Sequence, residues 1–342
     1  MPGSRARTRT APSALKRLLV IHPGALGDVL LALPALASLR AAFPRAELTL
    51  AGAPRILTLF QETPLADRTS SVESLSIHEC FSESPLSRET KAQLSAFDGI
   101  VSWFGSHDPT YCRQLEGLGT PVVIARAAPP PGVRIHVARW LLKTIDPWGI
   151  PSSPAMPSPR LPVPAAAAEE ARAWVASHDL PPDRLCLVHP GAGSPTKRWA
   201  AEGYAALVRW IEAALGASVV LIEGPADAAP VSAVISWIGA APPRVARHFP
   251  LPLQAALLAR AALFVGNDSG LAHLAGAVGT PTVALFGPTD PALWAPLGPR
   301  VTVVAASGRG GDPWQGVTLE RIQPAILAHW RAGERTTLAE PA

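Results

Sequence analysis

The chain has 342 residues, 48% of them hydrophobic and 16% charged. That length exceeds one ordinary core and suits two domains of roughly 100–200 residues each, and the composition excludes a disordered chain or a charge-patterned coiled coil. The net charge of +4 comes from one segment: residues 1–17 carry Arg5, Arg7, Arg9, Lys16 and Arg17 and no acid, so the remainder stands at −1 and is no basic nucleic-acid-binding body.

Residues 1–16 read as a basic, disordered tail; the alternative is attraction to an anionic membrane face, worth about 1 kcal/mol per basic residue. Leu18–Ile21 after that basic start imitates a signal peptide, but His22, Pro23, Gly24, Gly27 and Asp28 interrupt the apolar run. Cys80, Cys112 and Cys186 lie far apart with no CxxC, which points to no disulfide framework and no zinc site and fits a reducing cytosol. Ser269–Thr289 has no charged residue, but its glycines and prolines argue against a membrane span.

In chain order, Arg17–His22 predicts a strand, Asp28–Phe43 a helix kinked at Pro34, and Glu47–Ala51 a strand. Helices follow at Leu86–Phe97 and His136–Ile145, with strands at Gly99–Phe104 and Pro121–Ala125 between them. The strands are continuous apolar runs, the pattern of parallel strands covered on both faces. Seven prolines in residues 147–164 predict a semi-rigid linker. The pattern then restarts. Strands are expected at Leu185–His189, Val219–Glu223, Leu263–Asp268, Thr282–Phe286 and Val301–Ala305. Helices are expected at Ala165–His178, Ala201–Leu215, Pro230–Ile238, Leu253–Ala261 and Ser269–Val278, with a last one at Leu319–Arg331. The organisation is therefore a first Rossmann-like domain over 17–146, the linker 147–164, a second over 165–318, and a C-terminal helix and tail over 319–342: α/β, two doubly wound domains facing across a cleft.

Ligands of open parallel sheets bind at the carboxyl ends of the strands, and three turns there are unusual. In the first, His22–Asp28, Gly24 and Gly27 permit close backbone approach. Asp28 in the first helical turn is either an acid complementing the helix dipole or a general base. In the second, His189–Trp199, Ser194 and Thr196 add hydroxyls and Lys197 offers a point charge for phosphate, against the alternative of a solvated lysine; Trp199 reads as a core anchor. In the third, Gly266–His273, a strand runs into a helix whose first amides form a ready anion site. There Gly270 permits close approach by a diphosphate. Asp268 suits sugar hydroxyls or capping, and His273 faces the same ligand or is a buried, hydrogen-bonded histidine. Neither GxGxxG nor the P-loop spacing occurs, and no DxD pair is present, so a metal-bridged diphosphate is not expected.

Three stretches in this order, Leu19–Pro34 (LVIHPGALGDVLLALP), His189–Trp199 (HPGAGSPTKRW) and Gly266–Asp290 (GNDSGLAHLAGAVGTPTVALFGPTD), make the chain resemble glycosyltransferase family 9, the ADP-heptose:lipopolysaccharide heptosyltransferases. The resemblance runs from about Leu18 to about Val304. It implies a GT-B fold, inversion at the transferred carbon, no metal and no cofactor, a nucleotide-sugar donor on the second domain and a lipopolysaccharide core acceptor on the first. It assigns Asp28 as catalytic base. It assigns Lys197, Asp268, Ser269, Gly270 and His273 to donor binding, to which the hydroxyls of Ser194 and Thr196 are added from the turn itself, Glu223 or Asp227 to the ribose, and Phe249–Leu253 to an adenine wall. A cytoplasmic monomer, peripheral on the inner membrane face, is the expected state.

Another surface glycan as product, or a non-catalytic sugar-nucleotide-binding protein, are the alternatives. A Rossmann oxidoreductase is disfavoured by the missing dinucleotide fingerprint. Acceptor contacts are expected around Arg55, Ser106–Asp108, Arg113 and Arg134–Arg139, where the arginines either meet an anionic acceptor or are ordinary surface residues.

Overall fold

Among the described residues, strands with buried apolar runs at their centres pair side by side in two six-stranded sheets, one in each of two units, Met1–Pro159 and Arg160–Ala342. The computed structural model describes residues 7–8, 15–150, 160–307 and 311–337, with side chains through 330 except at 7–8. Most of the expected basic tail, the middle of the Pro-rich linker at 151–159 and the last five residues lie outside the described residues.

In the first unit the strands are β1 (Arg7–Thr8), β2 (Arg17–Ile21), β3 (Glu47–Gly52), β4 (Arg68–Ser71), β5 (Gly99–Ser102) and β6 (Val122–Ile124). Their order is β1-β6-β5-β2-β3-β4. All pairings are parallel except β1 against β6, so Arg7 and Thr8 of the basic tail form an antiparallel edge. Leu18, Leu19, Val20 and Ile21 are fully buried, as a central strand covered on both faces requires.

The single kinked helix expected over Asp28–Phe43 is instead two helices, Leu26–Leu31 and Leu33–Ala42, broken at Ala32. Pro34 is the cause: it has no N–H to continue the ladder, and it sits in the first turn of the second helix, where none is needed. The first helix also starts two residues earlier than expected, which moves Asp28 to its third position.

The second unit contains β7 (Leu185–His189), β8 (Ser218–Glu223), β9 (Arg244–Arg247), β10 (Leu263–Asn267), β11 (Thr282–Phe286) and β12 (Val301–Ala305). The order is β12-β11-β10-β7-β8-β9, all parallel. Its main core joins β7, β8, β10 and β11 to helix Ala201–Leu215 through Val188, Val265, Tyr204, Leu207 and Ile211. The final helix, Leu319–Thr337, belongs to the same core. It lies against β10, β11 and β12 and buries Ile322, Ile326 and Trp330. Among the described residues no helix is long and apolar enough to cross a membrane.

Both sheets reverse direction at one place. The chain runs β2-β3-β4 outward, then returns to place β5 on the other side of β2; likewise it runs β7-β8-β9 and returns to place β10 beside β7. The carboxyl ends of β2 and β5, and of β7 and β10, therefore flank the two topological switch points, where such sheets take ligands.

Candidate functional site

The second unit's switch point is assembled from the turn after β7 and the helix after β10. Asn267, the fully buried last residue of β10, fastens them. Its Oδ1 accepts the Trp199 backbone N–H at 3.1 Å, and its Nδ2 donates to the carbonyls of Pro190 (2.9 Å) and Gly191 (3.2 Å). Trp199 is buried in the core and donates its indole N–H to the Val317 carbonyl at 3.1 Å. The loop carrying Ser194, Thr196 and Lys197 is thus held at both ends. Sequence reasoning missed Asn267; the available signal was a polar side chain closing an otherwise apolar strand.

Helix Gly270–Val278 starts beside this loop. Its N-cap is Ser269, whose Oγ accepts the Ala272 N–H at 3.4 Å, so capping falls to Ser269 and leaves the Asp268 carboxylate for other partners. The first amides of the helix have no acceptor within it and carry the positive end of its dipole. Asp268 is buried. Its Oδ2 accepts from Lys197 Nζ at 2.8 Å and from Thr289 Oγ1 at 2.7 Å, and its Oδ1 lies 3.8 Å from His273 Nε2. Burial works to raise the Asp268 pKa, but the contacts with His273, Lys197 and Thr289 outweigh it and hold it at about 2. Lys197 is partly exposed, so the solvated alternative gives way to a lysine tethered at one end. Thr289, from the segment after β11, is a second partner that the sequence motifs do not single out.

Ser194 and Thr196 face each other across 3.1 Å between hydroxyl oxygens on the exposed part of the same loop. Trp314 Nε1 donates to the Thr196 carbonyl at 3.0 Å. The two acids considered for a ribose are both engaged: Glu223 accepts from Arg247 Nε at 3.1 Å, and Asp227 accepts from His189 and from the Gly224 N–H, each at 3.0 Å. Burial acts to raise the Asp227 carboxyl, but these donors leave it below the usual carboxylate range. His189, buried at the end of β7, also places Nδ1 3.2 Å from Ser269 Oγ. Gly191 is the residue that lets this happen, because a Cβ there would sit 2.0 Å from Asp227 Oδ1 and 2.7 Å from His189 Nε2. Of the stretch considered for an adenine wall, Leu253 is committed to a small core with Ala167, Ala171 and Ala256, and Phe249 packs edge-on against Trp174.

At the first unit's switch point, Asp28 sits in the first turn of helix Leu26–Leu31, and its Oδ2 accepts the Ala25 N–H at 3.2 Å. Gly27 lies inside that helix. Gly24 is squeezed between two side chains; a Cβ there would be 2.8 Å from His22 Cε1 and 3.0 Å from Asp28 Cβ. His22 is buried, stacks edge-on against Trp103 from the segment after β5, and accepts the Gly24 N–H at Nδ1. Burial lowers its pKa, a hydrogen bond with the Asp28 backbone offsets part of that, and the result is about 4, so the ring is neutral at neutral pH.

Of the residues considered for an acceptor, Arg113 pairs with Glu83 at 2.6 Å, and Asp108 caps helix Pro109–Glu116 through Thr110 and Tyr111. Arg139 belongs to helix Val137–Ile145, which His136 caps. Among the described residues no group of three or more His, Cys, Asp or Glu side chains is arranged to hold a metal ion.

The structure thus gathers Ser194, Thr196, Lys197, Asp268, Ser269, Gly270 and His273 at one switch point, and Gly24, Gly27 and Asp28 at the other. The first group combines an ammonium, a hydroxyl and helix-terminal amides for an anion with a buried carboxylate able to accept from hydroxyls. The second presents a carboxylate beside a neutral histidine.

A family profile described as glycosyltransferase family 9 (heptosyltransferase) matches residues 111–315. The chain is 35% identical over 113 residues to lipopolysaccharide heptosyltransferase 3 of Escherichia coli, covering 32% of this chain and 33% of that protein. It is 36% identical over 124 residues to lipooligosaccharide heptosyltransferase 2 of Haemophilus influenzae, 34% of each chain. These alignments span about a third of the length of the curated relatives. Among solved structures, the chain is similar to a family 9 glycosyl transferase from Veillonella parvula (TM-score 0.74, 21% identity, 93% of this chain and 97% of that one). It is also similar to ADP-heptose lps heptosyltransferase II of E. coli (0.71, 21%, 93% and 99%) and to E. coli heptosyltransferase WaaC with ADP (0.62, 19%, 92% and 99%). At these identities the likeness is one of fold: two Rossmann-like units, the GT-B fold.

Proposed function

The chain belongs to glycosyltransferase family 9, and from that premise we propose that it transfers a heptose from ADP-heptose to a lipopolysaccharide core acceptor, with inversion and without a metal. The observation that carries this reading is Lys197 standing beside Asp268 at the start of helix Gly270–Val278, on the second unit's switch point. A nucleoside diphosphate fits that place: the ammonium, the Ser269 hydroxyl and the Gly270 amide would meet the diphosphate, and Asp268 and His273 would line the sugar. Adenine as the base is supported by the similar E. coli heptosyltransferase WaaC, whose structure was solved with ADP.

As the glycosidic bond breaks, the leaving diphosphate gains negative charge, and donors already fixed around it stabilise that charge without reorganising. Ser194 and Thr196 add hydroxyls at the rim. Asp28 would take the proton of the attacking acceptor hydroxyl, and attack by that hydroxyl opposite the leaving group gives inversion. The acceptor is a lipid-linked core sugar bound by the first unit, the enzyme works as a monomer in the cytoplasm at the inner membrane face, and no cofactor is required.

A thermal-shift panel of ADP, UDP, GDP and ADP-heptose, followed by transfer to heptose-deficient lipopolysaccharide, tests the proposal. Adenine ligands at 100 times their dissociation constant should add about 2.7 kcal/mol, and product should form only with ADP-heptose. Stabilisation by UDP or GDP alone would reassign the donor. Binding of ADP-heptose without transfer to any core acceptor would leave a binding protein.

A further inference from the structure

His189 links Ser269, which the function above uses, to Asp227, which it does not. It is buried at the end of β7, with Nε2 3.0 Å from Asp227 Oδ2 and Nδ1 3.2 Å from Ser269 Oγ. Asp227 as a carboxylate can only accept, so Nε2 carries the hydrogen. With that proton placed, Nδ1 of a neutral ring is an acceptor, and the hydrogen it accepts is the Ser269 hydroxyl's. Ser269 Oγ already accepts the Ala272 N–H. In this state the hydroxyl's only proton points at His189, and it offers an incoming anion nothing but lone pairs.

The charged groups on the elements packed against His189 are few. Asp227 stands on the β8 side with Arg198 in its field, and Glu223 at the end of β8 is paired with Arg247. On the β10 side Asp268 is paired with Lys197 and near His273. Both buried carboxylates on the β10 and far β8 flanks already have cationic partners, and Asp227 faces the ring itself.

We propose that donor binding is coupled to uptake of one proton by His189, making it a positioning residue that turns the Ser269 hydroxyl toward the diphosphate; this rests on the donor reading above. The proton comes from solvent and goes to Nδ1. The imidazolium then donates to Asp227 from Nε2 and to Ser269 Oγ from Nδ1, and the Ser269 O–H is released to donate to a phosphate oxygen. No covalent bond changes between heavy atoms. A positive charge arrives behind the diphosphate only when the anion does, which supplements Lys197. An imidazole is suited to this, being the side chain that ordinarily changes charge between pH 5 and 8.

The test is titration calorimetry of ADP-heptose into the full chain, with no acceptor, in buffers of different ionisation enthalpy between pH 6.5 and 8.5. The diphosphate of that ligand is esterified at both ends and does not itself titrate in this range. Net uptake of up to one proton per site is expected within this range, with affinity falling as pH rises, by at most about tenfold per pH unit. His189→Gln keeps a side chain that can hydrogen-bond but cannot hold the proton, and should show no uptake and a flat pH profile. Ser269→Ala should also lose the linkage, whereas Ser269→Thr should keep it. A staple with no proton role would lower the melting temperature of His189→Gln yet leave wild-type binding free of proton uptake, and that result would overturn the inference while the donor site stood. ADP-heptose failing to bind the wild type at all would instead bring down the donor reading, and this inference with it.

Discussion

Lys197 Nζ lies 2.8 Å from Asp268 Oδ2 across 71 positions of sequence, joining the turn after β7 to the end of β10. The pair sets the site's charge before a ligand arrives. The carboxylate is held at a pKa of about 2, and the ammonium is anchored at one end while remaining partly exposed. Lys197→Ala should therefore weaken nucleoside diphosphate binding by the loss of a charge-assisted hydrogen bond, about 1.5–3 kcal/mol, or roughly tenfold to a hundredfold or more in affinity. Asp268→Asn should do the opposite to the diphosphate, because the freed lysine is no longer shared, while impairing contacts to the sugar. Calorimetry with ADP on both variants reads this directly; equal losses in both would mean that the ion pair only braces the loop.

The proposed metal independence rests on what the chain offers a diphosphate. No DxD pair occurs in the sequence, and Asp268, the acid nearest the helix start, is already bound to Lys197 and Thr289. Transfer should proceed at its full rate in excess EDTA. Loss of turnover restored by magnesium or manganese would refute this.

Asn267 should matter more to folding than its chemistry implies. Replacing it by Ala leaves the buried Trp199 N–H and the Pro190 and Gly191 carbonyls short of partners, at about 1–3 kcal/mol for each group left unsatisfied. A melting temperature lower by at least about 6 °C is expected for a unit of this size, together with weaker ADP binding because the Lys197 loop loses its fastening. Asp at the same position cannot donate and should do no better. A melting temperature within a degree of wild type would show that water takes over these contacts.

The central strands are legible in the sequence because burial on both faces demands unbroken apolar runs, as in β2, β7 and β10. The outer strands β4 (RTSS) and β9 (RVAR) are not, because an edge strand is held by one neighbour and needs no such run. Helix Pro109–Glu116 is absent from the expected elements although its start signal, Asp108 followed by Pro109, stands in the sequence. At the candidate site the residue types can be read from turn composition: small residues, a lysine, a strand that becomes a helix. Their pairings cannot. Asp268 with Thr289, His189 with Asp227, and Asn267 with the loop after β7 depend on which strand ends the sheet order brings together.

His22 should make the first unit sensitive to mild acid. Burial depresses its folded-state pKa to about 4, against about 6.5 when unfolded. Between those values the unfolded chain binds a proton that the folded one refuses, so stability is fully present above about pH 6.5 and falls as pH drops toward 4, by about 3 kcal/mol in total. His22→Asn retains an acceptor for the Gly24 N–H but has nothing to titrate. Urea midpoints from pH 7.5 to 4.5 should therefore decline more steeply for the wild type than for the variant. Parallel slopes would place the acid sensitivity elsewhere.

Asp28→Asn separates a base from a helix-start residue. The carboxylate sits in the first turn of Leu26–Leu31, where an acid also complements the helix dipole, and its Oδ2 accepts the Ala25 N–H. Asn is close in size, can accept the same hydrogen bond through its amide oxygen, and is well suited to a helix start, so a structural role largely survives the exchange. It cannot take a proton from a hydroxyl, so a base role does not survive. The donor contacts named above all lie in the second unit, so ADP affinity should stay within a few-fold of wild type. Turnover with a matched core acceptor should fall by about 10²–10⁴-fold, the usual contribution of a general base. Melting temperature and ADP binding, measured alongside, guard against misfolding. Turnover retained to within a few-fold, with both controls unchanged, would return Asp28 to the role of a dipole-complementing acid and send the search for the base to the other carboxylates of the first unit.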